Sequence, residues 1–227
     1  MFPIVRKVEA ELAADHTLDK EYLPIVGDAD FIRGARMALF GWDSPHVASD
    51  RIATIQTLSG TGALRVIADT FKKFRPVPIY ISSPSWPNHE PIFSAVGLEV
   101  RKYRYYDENT KTLDIAGMLE DLETATPGSI VMWQLNAHNP CAVEPTEEQW
   151  IKIAEVCKRN KLYPFFDNAY QGLSTGDLDK DAFGLRYFLD QASSCAVLSP
   201  LRRSSASTVN ARVPCTSSVR TKQQVKD

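Results

Sequence analysis

Long apolar runs and a strong net charge are both missing from this sequence. No stretch approaches the about 20 apolar residues that a transmembrane helix needs. The first seven residues show neither the charged start nor the apolar core of a signal peptide. A net charge of −2 gives no reason to expect contact with nucleic acid or a membrane. The 44% hydrophobic fraction indicates a globular protein with a real core.

Cysteines are few and scattered. The four are Cys141, Cys157, Cys195 and Cys215, with no C-x-x-C pair and no spacing typical of metal ligands. This favours reduced thiols in an intracellular protein and predicts no metal site.

The last 36 residues differ in composition from the rest of the chain. Residues 192–227 contain no aromatic side chain, eight serines, and six lysines and arginines against Asp227 alone. That segment therefore carries a net charge of +5, which leaves −7 for residues 1–191. We expect a disordered tail that does not belong to the main fold.

Strand and helix patterns alternate through the main part of the chain. This alternation predicts an α/β fold, a mostly parallel sheet with helices on both faces. The predicted strands are 51–58, 79–82, 99–106, 129–135 and 163–166. The predicted helices are 3–14, 29–39, 63–74, 89–96, 114–123, one from 146 with a capping box, and 180–191.

A small-residue turn follows the first strand. Ser59, Gly60 and Thr61 lie between that strand and the next helix, where glycine lets the backbone approach an anion and hydroxyls add donors. The turn has neither the Walker nor the dinucleotide pattern, so a single phosphate fits better. An ordinary capped turn is the alternative.

Further chemistry-bearing residues also follow strand ends. Parallel sheets bind ligands beyond the carboxyl ends of their strands. Trp86 offers a flat face for an aromatic ring, although such a residue is often core, and nearby His89 could be a helix cap. Asp167 ends an apolar strand and needs a cation, while Asn139 and Tyr170 could bond a ring oxygen. Pyridoxal phosphate has all of these parts.

The sequence strongly resembles the aspartate aminotransferases, which are fold-type-I enzymes that depend on pyridoxal phosphate. The matching words stand in the family's order across nearly all of residues 3–191, namely 21–25, 56–65, 86–89, 103–107, 137–140 and 165–172. The resemblance implies the major part of a large cofactor-binding domain over residues 29–191, preceded by an N-terminal helix and connector over 1–28. It also implies amino transfer between L-aspartate and 2-oxoglutarate, giving oxaloacetate and L-glutamate.

The resemblance implies a cofactor role for several residues. Ser59, Gly60 and Thr61 would meet the phosphate, and Trp86 would stack on the ring. Asp167 would bond the pyridine nitrogen, with Asn139 and Tyr170 at the ring oxygen. Tyr22 would reach the phosphate of the neighbouring subunit, so a homodimer is expected.

The chain also departs from the family pattern. After His-Asn-Pro the usual Thr-Gly is replaced by Cys141 and Ala142. The family's Schiff-base lysine segment is absent, so no catalytic residue is assigned. One alternative is therefore an inactive fragment, and another is a non-catalytic partner of a full-length subunit. The cytoplasm is the expected location, with mitochondria as the alternative because the family's N-terminal region is missing.

The genetic code offers a reason for the missing lysine. Residues 207–211 permit codons that, read one base earlier, include the family word Leu-Tyr-Gly-Glu-Arg. Residues 199–203, shifted the same way, permit Ser-Phe-Ala-Lys. The resemblance places these two words at about this spacing, so we hypothesise that residues from about 192 are a frameshifted reading of the lysine segment.

Overall fold

A computed structural model describes residues 3–18, 21–48, 52–191, 194–200 and 207–212 of the 227-residue chain. The helices are α1 (Pro3–Ala14), α2 (Ala29–Phe40), α3 (Pro45–Ala48), α4 (Ser59–Phe74), α5 (His89–Ala95), α6 (Ile115–Thr124), α7 (Glu147–Arg159), α8 (Leu178–Asp181) and α9 (Phe183–Asp190). The strands are β1 (Ile52–Thr57), β2 (Ile79–Ser83), β3 (Val100–Arg104), β4 (Tyr106–Asp107), β5 (Thr112–Leu113), β6 (Ile130–Gln134), β7 (Tyr163–Asp167), β8 (Ala196–Pro200) and β9 (Ser207–Arg212).

The main sheet has seven strands in the order β1-β9-β8-β7-β6-β2-β3. All neighbouring pairs are parallel except those that β9 makes with β8 and β1. The predicted α/β class with a mostly parallel sheet is therefore confirmed. Strands β4 and β5 form a separate antiparallel pair.

The central strands β6 and β7 are buried on both faces of the sheet. Successive side chains of a strand point to opposite faces, and in β7 Phe165 and Phe166 accordingly belong to two different apolar clusters. The Phe165 cluster includes α4, and the Phe166 cluster includes α7 and α9. Strand β7, buried from its second residue onward, has a continuous apolar run before Asp167, the pattern expected of a parallel strand with helices on both sides.

Two helix starts show how local sequence sets the fold. Helix α7 begins with the predicted capping box, in which Thr146 and Gln149 each bond the other's backbone N–H. Helix α4 begins at Ser59 rather than at 63, because the small residues of the turn form its first turn. The predicted final helix is divided into α8 and α9.

The prediction of a disordered tail from residue 192 is wrong for two segments. Residues 196–200 form β8, which pairs with β7 and has a buried Val197 and Leu198. Residues 207–212 form β9 between β8 and β1. A short buried strand was hidden in a serine-rich segment, because composition averaged over 36 residues masks one apolar run. Residues 192–193, 201–206 and 213–227 of the tail lie outside the described part of the chain.

Helix α1 contains no buried residue, although Ile4, Val8 and Leu12 lie on it at helical spacing. Across the described segments, no helix is long and apolar enough to cross a membrane.

Candidate cofactor site

A cavity of about 260 Å³ opens beyond the carboxyl ends of the central strands. It gathers seven of the eight residues predicted to bind the cofactor: Ser59, Gly60, Thr61, Trp86, Asn139, Asp167 and Tyr170. They come from the last residue of β7 and from the segments that directly follow β1, β2, β6 and β7. The sheet brings them together because parallel strands end at one edge.

The N-terminus of α4 forms one wall of the cavity. Ser59 has φ +59°, a left-handed conformation that is uncommon for serine, and Leu58 before it provides no side-chain cap. The first-turn amides of a helix need partners, and the positive end of its dipole favours an anion. This wall, with its hydroxyls and glycine, suits a phosphate group.

Asp167 is the acidic residue of the cavity. Its Oδ2 lies 3.0 Å from His89 Nε2, and Ser85 Oγ lies 2.9 Å from His89 Nδ1. His89 is fully buried and is the first residue of α5, whose cap position is Asn88, so the alternative of a helix cap is not what the structure shows. Asp167 Oδ1 accepts no hydrogen bond from the described residues, which leaves one oxygen for a ligand cation.

The remaining predicted side chains complete the cavity wall. Trp86 is half-buried and makes an edge contact with the His89 ring at 5.2 Å. The Asn139 carboxamide and the Tyr170 hydroxyl have no hydrogen-bond partner within the segments that the structure describes. Both line the cavity, so both polar groups are available to a bound molecule.

Gln134 is a cavity residue that the sequence interpretation missed. Its Oε1 accepts from Asn139 N at 2.9 Å, and its Nε2 donates to Asn139 O at 3.0 Å. The only signal that could have found it is strand register, since Gln134 pairs directly with Asp167 across β6 and β7. Leu64, Ala169 and Leu198 were also missed, the last because the tail was expected to be disordered.

His138 lies behind Asn139 and is buried. Its Nε2 lies 2.9 Å from Ser82 Oγ, and its ring stacks on Tyr105 at 4.0 Å. Burial, followed by the nearby charge of His89, lowers the pKa of His138 from 6.5 to about 4. His138 is therefore neutral at physiological pH.

The turn after β6 has two residues with positive φ, a backbone conformation that favours glycine, although both residues are alanines. Ala137 has φ +44° and Ala142 has φ +54°, and both conformations are costly for an L-residue with a Cβ atom. Glu144 Oε1 accepts from the Ala137 N–H and the Ser174 hydroxyl, which fastens the turn to the loop after β7. Ala142, one of the two departures from the family word, thus adopts the conformation that glycine would favour.

Tyr22 does not reach this cavity. Its side chain is fully exposed, as is that of Ile25. The cavity of one subunit therefore receives nothing from its own Tyr22, and the predicted contact with a neighbouring subunit stays a prediction.

The fold and the site define an α/β protein of the aminotransferase type, with a ligand cavity at the carboxyl edge of its sheet. Residues 1–201 match the family model described as aminotransferase class I and II, and the chain belongs to this family. The match runs ten residues past 191, so the prediction that the resemblance ends there is wrong.

Individual relatives agree with the family match. Cytoplasmic aspartate aminotransferase of Gallus gallus is 43% identical over 198 residues, covering 84% of this chain and 48% of the relative. Chloroplastic aspartate aminotransferase 3 of Arabidopsis thaliana is 46% identical over 195 residues, covering 86% and 43%. The chain thus spans about half the length of the curated relatives it matches.

Solved structures share the fold. Aspartate aminotransferase from Saccharomyces cerevisiae cytoplasm superposes with a TM-score of 0.88 at 34% identity, covering 95% of this chain and 55% of that one. An aromatic amino acid aminotransferase from Burkholderia cenocepacia has the same TM-score at 37% identity, covering 92% and 54%.

Proposed function

We propose that this chain carries the pyridoxal-phosphate site of an aspartate aminotransferase subunit. The whole protein would transfer an amino group between L-aspartate and 2-oxoglutarate. The observation that supports this most is the cavity itself. It combines an uncapped helix N-terminus, an aromatic face and a buried acid with one unpaired oxygen in the described part of the chain. Members of this family use pyridoxal phosphate, and one similar structure is described as covalently bound to it.

The phosphate end of the cofactor fits the start of α4. Ser59 and Thr61 would supply hydroxyls, and Gly60 lies between them where the backbone must come close. Neither lysine nor arginine lines the cavity among the described residues. Phosphate binding by these residues would rest on amides and hydroxyls. We expect the phosphate affinity to be lower than at a site where a cation pairs with the phosphate.

The ring end fits the other wall. Trp86 would stack on the ring, and Asn139 and Tyr170 would bond its oxygen. Asp167 would accept a hydrogen bond from the pyridine nitrogen and keep that nitrogen protonated, while His89 holds the acid in place. When bound, pyridoxal phosphate supplies an electron sink for negative charge that develops at the substrate α-carbon.

A lysine that could hold the cofactor covalently is not among the described cavity residues. Leu198 of β8 lines the cavity, and β8 ends at Pro200, within residues 199–203, whose shifted codons permit Ser-Phe-Ala-Lys. We infer that a change of reading frame near this point removed the lysine. The chain as given would then bind the cofactor without turning over.

Aspartate is the proposed substrate because the curated relatives at 43–46% identity are named aspartate aminotransferases. The second candidate is transfer from aromatic amino acids, which is the activity named for one similar structure at 37% identity.

A homodimer is the proposed assembly. Tyr22, Ile25 and Leu58 expose between 82% and 102% of their surface, which is unusual for large apolar side chains. A second copy of the subunit is the partner that would cover them. The cytoplasm remains our prediction for the location, although the relatives are named for both cytoplasm and chloroplast.

The proposed function is tested by restoring the alternative frame from about codon 199, where the shifted codons begin to permit Ser-Phe-Ala-Lys, and assaying the product. We expect the frame-restored protein to form oxaloacetate from L-aspartate and 2-oxoglutarate, and the chain as given to form none. Phenylalanine as amino donor tests the second candidate. A frame-restored protein that binds pyridoxal phosphate yet transfers from neither donor would overturn the proposal.

A further inference from the structure

We propose that Gln134 is a positioning residue of the cofactor cavity, which clamps the backbone of Asn139 and dictates which nitrogen of His138 carries the proton. The clamp and the tautomer follow from geometry alone. The effect on cofactor affinity rests on the proposed function.

The carboxamide of Gln134 meets both polar groups of one peptide residue. Gln134 is the last residue of β6 and only 7% exposed. Its Oε1 faces the Asn139 N–H at 2.9 Å, and its Nε2 faces the Asn139 carbonyl at 3.0 Å. Rotating the amide by 180° would place its NH₂ against the Asn139 N–H and its oxygen against the Asn139 carbonyl oxygen. The backbone of Asn139 therefore fixes the orientation of the Gln134 amide.

The orientation of the Gln134 amide determines the tautomer of His138. Gln134 Nε2 also lies 3.1 Å from His138 Nε2, and an amide NH₂ can only donate. His138 Nε2 must therefore be the acceptor, which places the ring proton on Nδ1. Ser82 Oγ, at 2.9 Å from the same nitrogen, can donate to it as well.

The clamp matters because the turn that carries Asn139 is not in a relaxed conformation. Ala137 and Ala142 on either side both have positive φ. Glu144 holds the turn at Ala137, and Gln134 holds it at Asn139. The direction of the Asn139 side chain into the cavity is thereby set by two neutral hydrogen bonds from Gln134, the last residue of the strand that leads into the turn.

Protonating His138 would break the arrangement. A proton on Nε2 would face the donor hydrogens of Gln134, and the amide cannot turn round without losing Asn139. Four other titratable groups face this network among the described residues. Tyr105 stacks on the His138 ring, and Asp167 pairs with Gln134 across the strands. His89 acts through its charge on His138, and Glu144 acts through the turn. We therefore expect the affinity for pyridoxal phosphate to change when His138 becomes protonated.

The tautomer is measured on the full chain with ¹⁵N-labelled histidine, using long-range ¹H–¹⁵N correlation spectra and His138→Gln for assignment. We expect the wild-type His138 to be in the Nδ1–H form at pH 7. In Gln134→Glu, which keeps the shape but loses the donor, we expect His138 to become protonated at higher pH than in the wild type. Gln191→Glu makes the same charge change at an exposed position and serves as control.

Equilibrium dialysis with pyridoxal phosphate supplies the second measurement. We expect Gln134→Glu to weaken binding by about tenfold, the equivalent of one lost hydrogen bond to a buried group, and Gln191→Glu to change nothing. A wild-type Nε2–H tautomer, or a His138 spectrum unchanged in Gln134→Glu, overturns the clamp. If the tautomer is as expected but the wild-type chain binds no pyridoxal phosphate, the clamp stands and the proposed function fails.

Discussion

His89 Nε2 lies 3.0 Å from Asp167 Oδ2, and the histidine is fully buried while the acid is 8% exposed. The two residues are far apart in the sequence, one opening α5 and the other ending β7. His89 is held in turn by Ser85. This contact fixes one carboxylate oxygen and leaves the other for the cavity, which is what a site for a protonated ring nitrogen requires.

Substitutions of His89 test how much its hydrogen bonds with Asp167 and Ser85 stabilise the fold. We expect His89→Leu to lower the free energy of unfolding by about 1–3 kcal/mol, because Asp167 and Ser85 lose a buried partner. His89→Gln can place Nε2 near the position of the histidine nitrogen, and we expect it to recover most of the loss. Urea denaturation measures both variants, and equal destabilisation by both would contradict the hydrogen-bond account.

Acidification should destabilise the fold through His138. Its folded pKa is lowered from 6.5 to about 4, so between these values the unfolded chain binds more protons than the folded chain. The lowered pKa of His138 contributes at most about 3 kcal/mol to the free energy of unfolding. This contribution is complete above pH 6.5 and is lost as the pH falls towards 4. Urea denaturation at pH 7, 6, 5 and 4.5 measures it.

His138→Gln should flatten this part of the stability profile, while His16→Gln, at an exposed position, should leave the slope intact. A slope that survives in His138→Gln would assign the titration to another group.

The fold was predictable where local pattern and burial agree. The run ending in Asp167 was interpreted as a buried parallel strand because its residues are continuously apolar, and the capping box at Thr146 marked the start of α7. Seven cavity residues were predicted because each lies at or after a strand end, and such ends share one edge of the sheet.

The rest depends on contacts that a linear pattern does not contain. The role of Gln134 follows from its register opposite Asp167, and the role of His89 from a contact across 78 positions. Strand β8 was missed because the five residues 196–200 cannot outweigh the polar composition around them. In the sheet β8 pairs with β7 on one side and with β9 on the other.

Ala142→Gly should stabilise the chain. The left-handed conformation costs a non-glycine residue about 1–2 kcal/mol, of which about 0.4–1 kcal/mol is offset by the greater freedom of glycine in the unfolded state. We expect a net gain of about 0.5–1 kcal/mol by urea denaturation at pH 7. Ala116→Gly, at an exposed helical position of α6, should change stability in the opposite direction.

A stabilising effect from Ala116→Gly as well would show that the result at Ala142 is unrelated to its backbone conformation.

The transcript should reveal the change of frame. We expect an insertion, a deletion or an altered splice junction within the codons for residues 190–199, after which the other frame encodes Ser-Phe-Ala-Lys and then Leu-Tyr-Gly-Glu-Arg. Sequencing complementary and genomic DNA across this region measures it. Agreement of both with the present frame, and no family words in the other, would refute the hypothesis.

The most direct test of the cofactor site is the dissociation constant for pyridoxal phosphate, measured by equilibrium dialysis of the wild-type chain and of Asp167→Asn. We predict saturable one-to-one binding that Asp167→Asn weakens by at least about tenfold, because a charge-assisted hydrogen bond to the ring nitrogen is lost. Asp43→Asn, at an exposed position outside the cavity, should bind as the wild type does. Equal affinity in the wild type and Asp167→Asn would contradict the assignment of this cavity to the cofactor.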